Sequence, residues 1–125
     1  MDSKKRILVV DDDDQIAKMY ITHLDFMDFD TKRVSNGEDA LAAALDFKPD
    51  LMLLDAMMPK INGFDVLDIL RNTPQTVDLP VIMLSALSGS DDVERAKKLG
   101  VNVFLEKSTT DLPTIVEKIN ELLGE

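Results

Sequence analysis

Three carboxylates stand directly after apolar runs of this sequence, at the points where buried strands would end. Asp11 and Asp12 follow Ile7–Val10, and Asp55 follows Leu51–Leu54. Carboxylates held within several ångströms of one another repel by roughly a few kcal/mol per pair at a surface-like dielectric. A hard divalent cation removes that cost, because Mg²⁺ takes carboxylate oxygens, backbone carbonyls and water as ligands. The three residues therefore predict a site for Mg²⁺, or for Mn²⁺ in its place.

Two further polar residues, Ser85 and Lys107, close later apolar runs in the same way. Taken singly, the serine would be a satisfied hydroxyl and the lysine a surface charge. As a set with the carboxylates, both can donate to the oxygens of a phosphoryl group. An oxygen of Asp55 could then attack phosphorus in line and form an acyl phosphate. The pattern predicts that Asp55 is a phosphoryl acceptor.

The elements that must position these residues alternate between strand and helix signals. Short apolar runs without alternation are typical of strands covered on both faces of a parallel sheet. The strand signals lie at residues 7–10, 29–34, 51–54, 80–84 and 101–105. An amphipathic segment with short linkers follows each of them. This order predicts an α/β fold with a doubly wound, five-stranded parallel sheet and five helices.

Helical spacing predicts which apolar side chains face the core. The first helix, with Asp13 or Asp14 as its N-cap, has an inward set made of Ile16, Met19, Tyr20, Leu24 and Met27. In the second helix the inward set is Ala40, Leu41, Ala44 and Leu45. The fourth helix can be capped within Ser88–Asp91, and it is apolar only at Val93, Ala96 and Leu99. We expect its packing to be thin.

Composition narrows the class of protein. The 125 residues predict a single domain, and the formal net charge of -10 argues against direct binding of nucleic acid, whose phosphates would be repelled. The absence of cysteine excludes disulfides and thiolate metal sites and fits a cytoplasmic location. No apolar run approaches the ~18 residues of a membrane span, so we expect no membrane contact.

As an ordered set, these residues resemble the receiver domain of two-component response regulators, the CheY-like family. The resemblance extends from Ile7 to Leu123. It is carried by Val9-Val10-Asp11-Asp12, Leu54-Asp55, Met58-Pro59, Gly63, Leu84-Ser85-Ala86 and Lys107. It implies a flavodoxin-like strand order of 2-1-3-4-5, in which the first and third strands flank a crevice at the topological switch point.

The resemblance also implies roles in the acidic pocket. Asp55 would be phosphorylated by a histidine kinase or a histidine phosphotransfer protein. Asp12 and Asp55 would ligate Mg²⁺ directly, Asp11 would do so through water, and Met57 would contribute its backbone carbonyl. Such a protein catalyses its own phosphorylation and dephosphorylation, so it is not a conventional multi-turnover enzyme.

Other implied roles concern the readout of phosphorylation. Ser85 matches the switch hydroxyl, Lys107 the conserved-type lysine of the family motif, and Phe104 the switch aromatic. The face of the fourth helix, fifth strand and fifth helix would be the output surface, for an effector, an output domain or a dimer partner. The family usually has a cis proline after the lysine, where this chain has Ser108.

The rate of phosphate loss is a further expectation from the resemblance. Met57 and Leu87 lie two residues beyond Asp55 and Ser85. In this family those positions border the water that attacks the phosphoryl group. Both are apolar here, which predicts slow self-dephosphorylation.

Two alternative functions remain open at this point. A pseudo-receiver would keep the fold as a binding module without being phosphorylated, but none of the expected acid, lysine or hydroxyl residues is missing. A phosphatase of the haloacid-dehalogenase type would use Asp11 and Asp13 as its motif and leave Asp55 unexplained. Nucleotide binding is disfavoured, because no glycine-rich loop follows the first strand.

Overall fold

The computed structural model describes residues 4–86 and 89–124, and its strands form a five-stranded parallel sheet. The strands are β1 Arg6–Val10, β2 Asp30–Val34, β3 Leu51–Asp55, β4 Val81–Ser85 and β5 Val103–Glu106. The helices are α1 Asp14–Phe26, α2 Gly37–Asp46, α3 Gly63–Arg71, α4 Ser90–Lys98 and α5 Leu112–Leu123. The order β2-β1-β3-β4-β5 confirms the predicted topology. No helix in the described ranges is long and apolar enough to cross a membrane.

Apolar side chains of the central strands β1, β3 and β4 are buried on both faces of the sheet. One set packs with residues of α2, α3 and α4, and it includes Leu8, Met52, Leu54, Val81 and Met83. The other packs with residues of α1 and α5, and it includes Ile7, Val9, Leu51, Leu53, Ile82 and Leu84. Each such side chain contributes about 1.5–3 kcal/mol when fully buried. Two-sided burial is the physical reason for the uninterrupted apolar runs.

The predicted inward faces of the first two helices are partly wrong. Met27 is 45% exposed because α1 ends at Phe26 and Met27 is its C-cap, and Met19 is also about half exposed. In α2 the buried face is made of Ala40, Ala43 and Ala44, whereas Leu45 is 46% exposed. The buried face of α2 is therefore formed by its alanines and not, as predicted, by Leu45.

Hydrogen bonds decide between the two predicted caps of the first helix, and the structure corrects the predicted start of the last strand. Asp13, not Asp14, caps α1, since its carboxylate accepts from the backbone N–H of Gln15 at 3.0 Å and of Ile16 at 3.1 Å. The last strand begins at Val103 rather than at residue 101, and Asn102, just before it, is hydrogen-bonded to Val81 at the start of β4. The Asn102 side-chain oxygen accepts from the Val81 backbone N–H at 2.8 Å. The Asn102 backbone N–H donates to the Val81 carbonyl at 3.1 Å.

Helix α4 is thinly packed, as its sequence predicts. Ala96 is its only buried residue, and its N-cap Gly89 makes no side-chain capping bond; Ser88 lies outside the described residues. A cation–π contact joins the helix to α3: the Arg95 guanidinium lies 4.4 Å from the centroid of the Phe64 ring. An element with so little buried surface opens at low cost in free energy.

Gly63 brings the start of α3 against the backbone of Asp55. Its N–H donates to the Ala56 carbonyl at 2.9 Å, and Asn62 and Asp65 form a capping box around the first turn. A Cβ at position 63 would lie 2.4 Å from the Asp55 carbonyl oxygen and 2.8 Å from the Ala56 Cα. Only glycine fits this approach without displacing the end of β3.

We expect Gly63→Ala to destabilise the fold by about 1–3 kcal/mol, because backbone atoms of β3 must move to admit the methyl group. Denaturant unfolding followed by circular dichroism measures this difference. Gly89→Ala is the matched control, since the nearest atom to a Cβ there is a side-chain oxygen at 3.6 Å. Equal stability of the two variants would contradict the close-approach explanation.

Candidate functional site

Three carboxylates converge at the carboxyl edge of the sheet. Val10 pairs with Leu54 in register, so Asp11 and Asp55 leave the neighbouring strands β1 and β3 side by side. Asp11 is 1% exposed and Asp55 5% exposed, whereas Asp12 faces solvent. Carboxylate oxygens of the three residues lie within 4.8 Å of one another. The structure thus brings together the acidic residues singled out in the sequence.

Lys107 joins the two buried carboxylates. Its Nζ lies 2.8 Å from Asp11 Oδ2 and 3.3 Å from Asp55 Oδ2. The backbone N–H of Lys107 donates to the Ser85 carbonyl at 2.7 Å, which fixes the residue at the end of β5. The peptide bond to Ser108 is trans, as are all bonds in the described ranges. Lys107 therefore reaches the two carboxylates at this edge of the sheet without a following proline.

The environment raises the pKa of Asp55 to about 6. Burial is the main cause, because it penalises the charged form, and the neighbouring Asp11 carboxylate adds to it. The Lys107 ammonium and the Met57 N–H, which donates to Asp55 Oδ1 at 3.3 Å, act in the opposite direction. Burial also tends to lower the pKa of Lys107, but its bonds and charge interactions with the two aspartates outweigh burial and raise that pKa.

The remaining predicted site residues lie around this pocket. Ser85, at the end of β4, is fully buried. Phe104 on β5 is half-buried, pairs with Met83 in register and packs against the apolar cluster beneath α3 and α4. Met57 is 50% exposed, and its backbone N–H donates to Asp55 Oδ1. Leu87, the other residue expected to border the attacking water, lies outside the described residues.

Arg33 is a contact of the site that sequence reasoning missed. Its guanidinium donates to the Asp11 carbonyl oxygen at 2.8 Å from Nη2 and 3.2 Å from Nε. Its Nη1 also pairs with Asp14 Oδ1 at 2.8 Å. The sequence signal for this contact was a basic residue near the end of the second strand, which lies beside the strand that leads into the four aspartates.

The pocket combines three clustered carboxylates, one of which has a raised pKa, with a fixed ammonium. Oxygen ligands suit hard divalent cations, and a carboxylate can form a covalent acyl intermediate. The two acids that follow β1 differ in one respect: Asp11 is buried and bonded to protein groups, whereas Asp12 is exposed. The arrangement can bind a cation and present Asp55 to an incoming electrophile.

Comparison with known proteins places this arrangement in a family. The chain matches the response regulator receiver domain over residues 7–120. The DNA-binding dual master transcriptional regulator RpaA of Synechocystis sp. is 34% identical over 118 residues, covering 94% of this chain and 48% of RpaA. The polar-differentiation response regulator DivK of Brucella anthropi is 28% identical over 121 residues, covering 97% of this chain and 98% of DivK. The chain thus spans about half of RpaA and nearly all of DivK.

Solved structures agree with the sequence comparison. A putative response regulator from Chloroflexus aurantiacus superposes with a TM-score of 0.91 at 28% identity, covering 98% of this chain and 100% of that chain. The receiver domain of the Francisella response regulator 1452 gives a TM-score of 0.88 at 31% identity, covering 95% and 96% of the two chains. The chain therefore belongs to the response regulator receiver domain family of two-component signalling systems.

Proposed function

We propose that this receiver accepts a phosphoryl group on Asp55 in the presence of Mg²⁺ and that phosphorylation alters the surface of α4, β5 and α5. Receiver domains partner with histidine kinases and output domains, and they generally bind Mg²⁺. One observation carries the proposal: the Asp55 carboxylate lies beside Asp11 and Asp12, with Lys107 Nζ contacting two of the three acids. We further propose that residues 1–125 act as a single receiver unit.

The donor set fits magnesium. The cluster supplies carboxylate oxygens within 4.8 Å of one another and includes no nitrogen or sulfur donor, which favours a hard cation. Asp12 and Asp55 would ligate it directly, Asp11 through water, and Met57 through its backbone carbonyl. When bound, Mg²⁺ supplies positive charge that shields the phosphoryl group from the surrounding carboxylates.

The chain's own residues account for the transfer step. An oxygen of Asp55 attacks the phosphorus of a phosphohistidine, the P–N bond breaks, and the imidazole leaves as an acyl phosphate forms. Lys107 already contacts Asp55 Oδ2, so its ammonium can follow the negative charge onto a phosphoryl oxygen. The pocket does this without a base, because the reactive form of Asp55 is its carboxylate.

The switch would act on the loosely packed side of the sheet. A phosphoryl group at Asp55 offers new acceptor oxygens to Ser85, and Phe104 lies half-buried on the adjoining edge strand. Helix α4 has a single buried residue and can shift at low cost. A dimer or an effector would bind this face. RpaA is described as DNA-binding; that this chain does not itself bind nucleic acid stays a prediction from its charge.

We expect one added phosphoryl group, measured by intact mass, when the protein is incubated with acetyl phosphate and Mg²⁺. Asp55→Asn should abolish the addition because the nucleophile is removed, and EDTA should suppress it. Asp50→Asn, another aspartate beside β3, is the control that should be phosphorylated normally. A wild-type protein that binds Mg²⁺ but stays unmodified would favour the pseudo-receiver alternative. Continuous hydrolysis of phosphate monoesters that survives Asp55→Asn would favour the phosphatase.

The raised pKa of Asp55 predicts how stability depends on pH without metal. Between pH 3.8 and about 6 the folded protein binds more protons at Asp55 than the unfolded chain, so stability falls as pH rises through this window. Asparagine at position 55 cannot ionise, so Asp55→Asn does not lose stability as the pH rises through this window. We expect the variant to exceed wild type by up to about 3 kcal/mol at pH 7.5, with little difference at pH 3.5.

Chemical denaturation in EDTA at several pH values measures this difference, and Glu117→Gln, at an exposed carboxyl on α5, is the control. Added Mg²⁺ should then stabilise wild type more than Asp55→Asn, because ligand binding to the folded state shifts unfolding by mass action. A constant gap between wild type and Asp55→Asn across the pH range would contradict the assigned pKa.

We propose that the phosphorylated form loses phosphate slowly because Met57, two residues beyond Asp55, is apolar. Met57→Asn should shorten the half-life of the acyl phosphate roughly fivefold, the effect of one added hydrogen bond of about 1 kcal/mol to the attacking water. Decay of the phosphorylated species, followed by intact mass, measures it. Met27→Asn changes a comparably exposed methionine at the end of α1 and should leave the half-life unchanged. A half-life that stays long in Met57→Asn would refute this role.

A further inference from the structure

We propose that Arg33 is a positioning residue for the cation site: it holds the β1–α1 turn, residues 11–13, in the conformation that directs Asp12 toward the metal. The inference rests on the proposed function only in that the acidic pocket binds Mg²⁺. Arg33 comes from β2, an edge strand of the sheet, and does not itself join the carboxylate cluster.

The contacts of Asp11 show what Arg33 adds. The Asp11 N–H donates to the Val34 carbonyl at 3.2 Å, Oδ1 accepts from the Asp13 N–H at 2.9 Å, and Oδ2 pairs with Lys107. The carbonyl oxygen is the one remaining polar group, and the Arg33 guanidinium occupies it with two donors. Every polar group of Asp11 therefore has a partner, and two of the partners, Arg33 and Val34, belong to β2.

The held oxygen belongs to the peptide unit that joins Asp11 to Asp12. That unit is planar, so fixing its oxygen also fixes the orientation of the Asp12 N–H and restrains the Asp12 Cα. Asp12 is exposed, and within residues 4–86 and 89–124 no comparable bond restrains its side chain. The direction of its carboxylate thus depends on the peptide plane that Arg33 holds.

Arginine is the residue type that this geometry needs. Two guanidinium nitrogens reach the Asp11 oxygen while a third pairs with Asp14 Oδ1 at 2.8 Å, and the Arg33 side chain is only 27% exposed. A lysine carries the same charge but a single nitrogen, which cannot make this planar fork. Lysine would therefore keep the charge near the pocket and lose the restraint on the turn.

A purely electrostatic role for Arg33 predicts the opposite result. If the guanidinium only balanced the acidic turn, its positive charge would repel an incoming Mg²⁺. Removing the charge in Arg33→Met would then tighten Mg²⁺ binding, and Arg33→Lys would leave it unchanged. If Arg33 positions the turn, both substitutions weaken binding, because both lose the fork.

The experiment measures Mg²⁺ affinity by isothermal titration, without a phosphodonor, for wild type, Arg33→Lys and Arg33→Met. Arg6→Lys is the matched control: Arg6 also donates to a backbone carbonyl, that of Phe47 at 2.7 Å, and lies 3.7 Å from the Asp30 carboxylate. Its contacts are at the opposite end of β1. Amide hydrogen exchange of residues 11–14 in EDTA reports the turn directly, and exchange across β4 reports whether each variant is folded.

We expect roughly tenfold weaker Mg²⁺ binding in both Arg33 variants, the lower end of the cost of losing partners that orient metal ligands, and faster exchange at the turn. Arg6→Lys should match wild type. With acetyl phosphate, the Arg33→Lys rate should approach that of wild type at saturating Mg²⁺, since the defect lies in binding.

Three results would overturn the inference: wild-type affinity in Arg33→Lys, tighter binding in Arg33→Met, or no Mg²⁺ binding by the wild-type protein. Failure of the proposed function is distinguishable from these. A wild-type protein that binds Mg²⁺ but is never phosphorylated refutes the acceptor role, while weaker binding in Arg33→Lys still supports the positioning role.

Discussion

The ammonium of Lys107, placed between the carboxylates of Asp11 and Asp55, is the interaction on which the site depends. It joins the ends of β1, β3 and β5, although β4 separates β3 from β5 in the sheet. Two buried carboxylates without a counter-charge would repel each other and lose hydration, and breaking a buried pair costs about 3–5 kcal/mol. The lysine makes an acidic crevice compatible with a stable sheet when no cation is bound.

Lys107 only partly offsets the cost of burying the two carboxylates. Burial and the Asp11 charge still raise the pKa of Asp55 to about 6 despite the lysine. The ionised pocket is therefore held at some cost in free energy, which a bound cation relieves. The three central strands that carry the acids and the hydroxyl are packed on both faces and fix these groups, whereas α4 has one buried residue. The strands that carry the site residues are therefore held rigidly, whereas α4, on the face that would transmit phosphorylation, is loosely packed.

The alternation of strands and helices and the acid set could be predicted from local signals, because apolar runs give strands and a polar residue marks four of the strand ends, whereas the strand order came from the family resemblance. Features set by contacts between distant segments could not be predicted. The bonds from Arg33 to the Asp11 carbonyl depend on the conformation of the arginine side chain, which the strand order does not determine, and the need for glycine at position 63 depends on α3 returning to the Asp55 backbone. Met27 and Leu45 were misassigned because helix ends and the phase of an alanine-rich stripe are set by packing rather than by spacing alone.

The departure at Ser108 shows which forces place the lysine. Lys107 reaches both carboxylates across a trans peptide bond, held by strand-like pairing of its N–H with Ser85 and not by the residue that follows. The turn beyond it is closed locally, since the Ser108 hydroxyl donates to Glu106 Oε1 at 3.1 Å and the Thr110 N–H to the Glu106 carbonyl at 3.2 Å. The backbone pairing of Lys107 with Ser85 at the end of the sheet therefore determines where the ammonium lies. The following residue is free to vary so long as the turn can satisfy its own backbone.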